Sequence, residues 1–286
     1  MTDLTGRTCL VTGATRGVGR ATAEALAKLG ANVVIHGRDS AAVGAVCRAT
    51  VRMARGGQVT GAVADFASLK SVRRMAEEVA AQHPQLHVLV NNAGTGARKR
   101  RETADGFEWS FGVNHLAPFL VTSLLLPLLT KSTPARIVTV ASMAYRRAVL
   151  NFDDLQWQRR KYRTMQAYSE SKLANILFTL ELSRRLKGAG VTANCLHPGV
   201  VATNMFASLG GPVGKFFGVL LRPLLVSPAA GAKTSVYLAS APELAAVSGR
   251  FFERSHEVAL DANAQDTAAA RRLWEISEGL VARAKA

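Results

Sequence analysis

The stretch TGATRGVG, residues 12–19, carries three glycines between an apolar run (residues 8–11) and a segment with helical spacing. Gly13 permits a tight turn, Gly17 lets backbone amides approach a pyrophosphate, and Gly19 permits close contact between helix and strand. The amino terminus of the helix adds a partial positive charge at the same point. This order of strand, turn and helix predicts a dinucleotide site, and an unliganded turn is the alternative.

Apolar runs rich in β-branched residues recur along the chain, separated by helical patterns such as residues 18–30, which end on a glycine. This alternation predicts an α/β fold: a single-domain Rossmann-type doubly wound parallel sheet with helices on both faces, and ligands beyond the carboxyl ends of the strands. We expect one domain over residues 1–286, with a C-terminal helical extension over about 256–286. The strand-like runs are residues 8–13, 32–37, 58–65, 87–94, 136–142 and 191–199.

The composition is that of a globular protein, with 48% hydrophobic and 20% charged residues. The formal net charge of +16 attracts anions, but the chain has no zinc-finger spacing, RNP-like motif or long basic tail. We therefore expect no nucleic-acid partner. Three widely spaced cysteines and an N-terminus without the order of a signal peptide favour a cytoplasmic location.

The longest mostly apolar run, residues 116–129, contains two prolines and suits a core or interface helix better than a bilayer span. Together with residues 174–182 it is apolar on more faces than one sheet contact explains. We therefore expect a helix–helix surface between the subunits of a homodimer or homotetramer.

The form of the cofactor is indicated by HGRD, residues 36–39, where an NAD enzyme places a carboxylate on the ribose 2′-hydroxyl. Gly37 occupies the position of that acid, and Arg38 follows it. A guanidinium here, helped by Arg16, would pair with a 2′-phosphate through charge-assisted hydrogen bonds. We therefore predict NADP(H), with NAD(H) less favoured. The alternative is that Arg38 is solvated and that Asp39 caps the next helix or binds the ribose.

Tyr168 and Lys172 stand four residues apart in a helical pattern, residues 168–186, so both lie on one helix face. An ammonium near a phenol stabilises phenolate, and we expect it to lower the tyrosine pKa from about 10. Reduction of a carbonyl needs a proton donor of this kind, because a proton must reach the oxygen as hydride reaches the carbon. The spacing alone is common in surface pairs, so its neighbours decide its interpretation.

Three polar features support a site near this pair. Ser142 ends a strand-like run, where its hydroxyl can polarise a carbonyl oxygen or simply cap the following turn. The motif NNAG, residues 91–94, closes the fourth run with a glycine suited to close approach by a cofactor. Asn114 is a polar residue in an apolar helical stretch, where a local backbone bond or a kink is its alternative role.

These motifs occur in an order that resembles the short-chain dehydrogenase/reductase superfamily over about residues 6–255. Each motif is modest, but the ordered set is specific. The motifs are TGATRGVG, NNAG, Asn114, Ser142 and YSESK, followed by HPGVVAT at residues 197–203.

The resemblance implies a role for each matching residue. Tyr168 would donate or accept the proton, and Lys172 would lower its pKa and bind the nicotinamide ribose. Ser142 would hold the substrate oxygen, Asn114 would anchor a water that links Lys172 to solvent, and Asp65 would lie by the adenine. The implied catalytic set is Asn114, Ser142, Tyr168 and Lys172; the implied cofactor-binding set is Gly13, Thr15, Arg16, Gly17, Val18, Gly19, Arg38, Asp65, Asn92, Ala93, Gly94, Tyr168, Lys172, Pro198, Gly199 and Thr203.

The interval of 26 residues from Ser142 to Tyr168 is longer than in most relatives, so residues 145–166 must form an excursion over the site. The chain in these parts resembles the retinol dehydrogenase-like branch, which acts on lipophilic alcohols, aldehydes or ketones, often with NADP(H). A lipophilic small-molecule substrate is therefore expected. The resembling segments are residues 103–129, 145–166, 168–201 and 271–280.

Residues 205–228 are rich in Phe, Leu and Val, are interrupted by Gly and Pro, and carry only Lys215 and Arg222 as charged residues. We expect a mobile lid over the substrate side of the cleft. The alternatives are a packed helix in the core or at a dimer surface, and a monotopic helix that gives weak peripheral membrane contact.

The basic clusters at residues 98–101 and 159–163 are expected to be solvated loops, with docking of an acidic carrier protein as the alternative. No metal site is expected, since no HExxH motif occurs and Pro84 separates His83 from His87. The expected activity is NADP(H)-dependent interconversion of a lipophilic ketone or aldehyde and its alcohol. A cofactor-binding scaffold or redox-sensing regulator that has lost the reaction is the alternative.

Overall fold

A computed structural model describes residues 2–200 and 226–284. Within these ranges the strands form one sheet in the order β3-β2-β1-β4-β5-β6-β7-β8, in which only β8 runs antiparallel to its neighbour. The predicted doubly wound parallel sheet is confirmed. The strands are β1 Thr8–Val11, β2 Asn32–Gly37, β3 Val59–Val63, β4 Val88–Asn91, β5 Ala135–Val140, β6 Val191–His197, β7 Phe251–Glu253 and β8 His256–Glu257.

Helices connect the parallel strands and cover both faces of the sheet. Two helix starts are capped by side chains: Ser68 accepts from the Ser71 N–H, and Asp39 accepts from the Ala42 N–H at 2.7 Å. Asp39 therefore has the capping role weighed for it. The helices are α1 Gly17–Lys28, α2 Ser40–Val51, α3 Leu69–Gln82, α4 Trp109–Phe111, α5 Ala117–Lys131, α6 Thr164–Arg185, α7 Pro228–Ser240, α8 Ala262–Gln265 and α9 Thr267–Arg283; a π-helix at Gly112–Leu116 joins α4 to α5, and 3₁₀ turns occupy Met143–Arg147 and Pro242–Leu244.

The register of the central strands decides where the functional loops meet. Val11 pairs with Val90, Asn91 with Thr139, and Val140 with Leu196. The carboxyl ends of β1, β4, β5 and β6 therefore lie side by side, and the sheet order reverses between β1 and β4. The glycine-rich turn, NNAG, Ser142 and Pro198 follow these strands and must share one edge of the sheet.

The apolar face of α5 and α6 is covered by the chain itself. Trp274 of α9 stacks on Phe178 of α6 with ring centroids 5.9 Å apart, and meets Phe119 of α5 edge-on at 4.9 Å. The Arg185 guanidinium lies 4.4 Å from the same Trp274 ring. The apolar patterning that suggested an interface between subunits is therefore explained by a contact within one chain, and this reason for expecting an oligomer is withdrawn.

The segment Trp109–Lys131 is long and apolar enough to cross a membrane by length and composition. Its most apolar window is 72% buried inside the protein. Leu120, Val121 and Leu125 belong to the main hydrophobic core on this side of the sheet. The burial favours the predicted core helix.

Candidate active site

The glycine-rich turn leaves β1 and packs against the loop that follows β4. Gly13 and Gly17 have φ angles of 64° and 58°, in the left-handed region that favours glycine. A Cβ on Gly13 would stand 2.8 Å from the Ala93 Cα, and a Cβ on Gly19 would collide with the Asn92 side chain. Side chains at these positions would push the turn away from the NNAG loop.

Thr12 joins this turn to the NNAG loop, although the sequence analysis did not single it out. Its hydroxyl accepts from the N–H groups of Asn92 (2.9 Å) and Ala93 (3.0 Å) and donates to the Val90 carbonyl. The Asn92 amide donates to the Thr12 carbonyl at 2.7 Å. Asn92 and Ala93 thus brace the turn. A threonine at a strand end resembles any other β-branched strand residue, so this role is not predictable from the local sequence.

Gly13→Ala is expected to weaken NADPH binding about tenfold or more, because the left-handed φ and the contact with Ala93 both oppose a side chain. The measurement is a titration of the protein with NADPH. Gly6→Ala is the matched control, since Gly6 also has a positive φ (78°) but a Cβ there would meet nothing within 4 Å. Equal NADPH affinity of the two variants would contradict the role given to the turn.

The amino terminus of α1 is suited to a phosphate. The N-cap residue Arg16 makes no side-chain capping bond, so the first amide groups of the helix lack a side-chain acceptor. These amides and the helix dipole favour an anion. The Val18 side chain packs on Ala232 of α7, so the backbone of Val18 remains available to contact an anion.

The end of β2 carries arginine where an acid would bind an unphosphorylated ribose. A Cβ on Gly37 would collide with the Thr15 side chain, so an acidic residue does not fit at position 37. Arg38 and Arg16 are exposed, and neither forms an ion pair within the described ranges. Two guanidinium groups that have no ion-pair partner in the described part of the chain, together with the amino terminus of α1, fit the phosphates of a dinucleotide.

Tyr168, Ser142 and Lys172 meet at the carboxyl edge of the sheet. The Ser142 side chain lies close enough to the Tyr168 hydroxyl to lower its pKa. The Lys172 Nζ lies 5.7 Å from the centroid of the Tyr168 ring and donates to the Val140 carbonyl at 2.9 Å. Ser142 also accepts from the Ala144 N–H at 3.2 Å, so it caps its turn as well as reaching the tyrosine.

Burial controls the acidity of this group. Burial raises the pKa of Tyr168, and the Ser142 side chain offsets only part of that effect. Burial also lowers the pKa of Lys172 to about 8. The expected net lowering of the tyrosine pKa is therefore not found in the protein chain, because removal of the phenol from water dominates. Tyr168 is therefore protonated at neutral pH, as a proton donor must be. The contribution of Lys172 to that pKa stays a prediction.

Asn114 lies in the π-helix and ties the loop after β4 to α6. Its side-chain oxygen accepts from the Thr95 N–H at 2.7 Å, and its amide donates to the Thr95 carbonyl (2.8 Å) and to the Ser171 hydroxyl (2.9 Å). A Cβ on Gly94 would stand 3.3 Å from the Lys172 Nζ, so glycine there leaves room for the ammonium. The π-helix interrupts the regular α-helix at Asn114. The role of Asn114 toward a water stays a prediction.

The excursion after Ser142 is fastened to α6 two residues from Tyr168. Arg160 donates to both carboxylate oxygens of Glu170, at 2.9 and 2.6 Å, and lies over the Trp157 ring at 3.6 Å. The Trp157 indole N–H donates to the same carboxylate at 3.1 Å. The segment is thus anchored to the helix that carries Tyr168.

The two basic clusters are only partly solvated. Arg100 pairs with Glu102 at 2.7 Å, and the Arg101 guanidinium lies 3.1 Å from the centroid of the Trp109 ring. Arg100 and Arg160 are partly buried and form ion pairs, so the expectation of solvated loops is wrong for these two, whereas Arg101 is exposed as expected.

The remaining predicted cofactor residues lie at the same edge of the sheet or outside the described ranges. Pro198 and Gly199 follow β6, and Gly199 has a φ of 84°. Asp65 follows β3, is exposed, and accepts from the Ala67 N–H at 3.0 Å. Thr203 and most of the predicted lid, residues 205–225, lie outside the described residues.

The sequence matches the family described as short chain dehydrogenase over residues 7–212. The chain belongs to this family, and it is an oxidoreductase of the retinol dehydrogenase-like branch that acts on CH–OH groups. Retinol dehydrogenase 14 of Homo sapiens is 46% identical over 291 residues, an alignment that covers 96% of this chain and 86% of that protein. Retinol dehydrogenase 13 of Homo sapiens is 44% identical and is covered to 85%. The predicted family and branch are confirmed.

Solved structures show the same fold. An uncharacterized protein of Mycobacterium paratuberculosis superposes with a TM-score of 0.80 at 36% identity, covering 99% of this chain and 96% of the other. A short chain dehydrogenase of Burkholderia cenocepacia, solved in complex with NADP, gives a TM-score of 0.70 at 26% identity and covers 88% and 97%.

Proposed function

We propose that this protein is an NADP(H)-dependent oxidoreductase that interconverts a lipophilic ketone or aldehyde and its alcohol, with Tyr168 as proton donor and acceptor. The observation that carries the proposal is the meeting of Tyr168, Ser142 and Lys172 beside the glycine-rich turn. The family membership supports the reaction class.

Each of the three side chains has a separate role in the proposed reaction. A bound nicotinamide would supply or accept the hydride. The Ser142 and Tyr168 hydroxyls bind the carbonyl oxygen, and Tyr168 gives up its proton as negative charge develops on that oxygen. Lys172, held by the Val140 carbonyl, stabilises the phenolate that remains. Alcohol oxidation uses the same groups in reverse.

NADP(H) is favoured over NAD(H) by the end of β2. Position 37 has no room for the acid that an unphosphorylated ribose requires, and Arg16 and Arg38, which form no ion pair with another described residue, are available for a 2′-phosphate. The related structure from Burkholderia cenocepacia contains NADP.

A lipophilic substrate is supported by the chain's own surface. Three large hydrophobic side chains are exposed in segments that adjoin predicted site residues in sequence: Val149 after the Ser142 turn, Met165 three residues before Tyr168, and Val200 directly after Gly199. Exposed apolar side chains are typical of surfaces that bind lipophilic ligands. The relatives' names, which specify retinol, agree with a lipophilic alcohol.

The proposed activity is tested by following NADPH consumption with a panel of carbonyl compounds. We expect turnover with long-chain and polyene aldehydes, retinal among them, or with hydrophobic ketones, and little turnover with short polar aldehydes. A protein that binds NADPH but turns over no member of the panel would favour the alternative, a cofactor-binding scaffold.

A further inference from the structure

His36 lies near the end of β2 and bridges two parts of the candidate cofactor site. It is 3% exposed. Its Nδ1 accepts from the Gly13 N–H at 3.1 Å, and its Nε2 lies 3.1 Å from the Ala64 carbonyl. Its own carbonyl accepts from the Ala14 N–H at 2.8 Å. One residue thus holds two successive amides of the glycine-rich turn.

The hydrogen-bond partners define the state of the imidazole. A carbonyl oxygen can only accept, so Nε2 carries the hydrogen, and Nδ1 is left as an acceptor for the Gly13 N–H. The ring stacks on Phe66 with centroids 4.4 Å apart, and burial lowers the pKa of His36 to about 4. The side chain is neutral at physiological pH and has a fixed tautomer.

The same turn is braced from the opposite side by the NNAG loop. The Asn92 amide donates to the carbonyl of Thr12 at 2.7 Å and to that of Gly13 at 3.2 Å. His36 supplies the matching acceptor for the Gly13 N–H from β2. Gly13 is therefore fixed at both its donor and its acceptor, and the amides that follow it are aimed by these contacts.

We propose that His36 is a positioning residue that sets the conformation of the glycine-rich turn and thereby the affinity for NADP(H). The proposal rests on the proposed function, because it assumes that this turn holds the cofactor's phosphates. Through Ala64, His36 also connects the turn to the end of β3, where Asp65 lies. It needs no contact with the cofactor itself.

Loss of the Nδ1 acceptor leaves the partly buried Gly13 N–H without its partner. The turn can regain a partner only by rotating away from its present conformation. The free energy of an unmade buried hydrogen bond corresponds to a loss of NADPH affinity of about tenfold or more. The rate at saturating NADPH depends on Tyr168 and Ser142 and should change little.

Two amide substitutions separate positioning from packing. His36→Asn keeps an acceptor near the position of Nδ1 and gives up the contact with Ala64. His36→Gln extends an amide toward the position of Nε2 and gives up the acceptor for Gly13. Both variants remove the ring that stacks on Phe66, so we expect similar losses of thermal stability.

Three quantities are measured for each variant: the NADPH dissociation constant by titration, and the KM for NADPH and kcat by steady-state kinetics. We expect His36→Gln to raise both the dissociation constant and KM about tenfold or more, with kcat within twofold. His36→Asn should stay within about threefold of the wild type in all three. Equal NADPH affinity of the two variants, or losses that follow only their stability, would overturn the proposal.

A measurement on the unaltered protein covers the case in which neither variant folds. Nitrogen-15 NMR of the histidine-labelled protein should show His36 with hydrogen on Nε2 and an unprotonated Nδ1. Hydrogen on Nδ1 would overturn the proposal. If the wild type binds NADPH but reduces no carbonyl compound, the proposed reaction is refuted. The role of His36 in binding is then still decided by the NADPH titrations of the two His36 variants.

Discussion

Tyr168→Phe is expected to lower turnover by about 10²- to 10⁴-fold while NADPH binding and folding are retained. The phenyl ring keeps the place of the tyrosine, and the change removes only the hydroxyl that lies next to Ser142. The carbonyl oxygen then lacks its proton donor as hydride arrives. Because the loss lies in the transition state, kcat should fall much more than the KM for NADPH rises.

The measurement is steady-state NADPH oxidation with the best carbonyl compound of the panel, together with NADPH titration and thermal unfolding. Tyr237→Phe on α7 is the matched control, since it also removes one phenol oxygen, in a residue that interacts with Glu243 outside the site. Tyr168→Phe with more than a tenth of the wild-type turnover would refute the assignment of the proton donor.

Arg38→Ala is expected to raise the KM for NADPH about ten- to a hundredfold and to leave the KM for NADH nearly unchanged. The reason is that charge-assisted hydrogen bonds to a 2′-phosphate are lost, whereas a 2′-hydroxyl gains nothing from the guanidinium. The same variant should therefore lose most of its preference for NADPH.

The control is Arg52→Ala, which removes an exposed arginine at the carboxyl end of α2 and lowers the net charge equally. A general effect of charge would weaken NADPH binding in both variants, and more so at low salt. If Arg38→Ala lowers affinity for NADPH and NADH alike, or affects neither, the 2′-phosphate is not recognised by Arg38.

The positions of β1 to β6 were predictable from apolar runs rich in β-branched residues. These strands fall in or beside the predicted runs, and all of them except the partly exposed β3 are largely buried. β7 and β8 have three and two residues, too few to give a periodic signal. Their pairing with β6 and with each other is set by tertiary contacts.

The site was predictable as a set of residues but not as an electrostatic environment. Spacing places Tyr168 and Lys172 on one helix face, and strand order brings Ser142 to them. Spacing does not report how deeply the phenol is buried, and burial decides the direction of its pKa. For this reason the sequence led to the expectation of a lowered pKa for Tyr168, whereas the pKa is raised in the protein.

Residues whose partners are distant in sequence could not be recognised from the local sequence pattern. His36 looks like a strand residue until Gly13 and Ala64 are placed on either side of it. Trp274 looks like part of a terminal helix until Phe119 and Phe178 are found beneath it. Both become visible only once strands and helices far apart in sequence are assembled.

The most direct test of the central claim follows the hydride itself. NADPH carrying deuterium at the transferable position of the nicotinamide is incubated with the protein and a lipophilic aldehyde, and the alcohol product is examined by mass spectrometry. We expect one deuterium on the new carbinol carbon. The labelled alcohol should form much more slowly with Tyr168→Phe than with the wild type. An alcohol without deuterium, or label transfer that is equally fast in Tyr168→Phe, would contradict it.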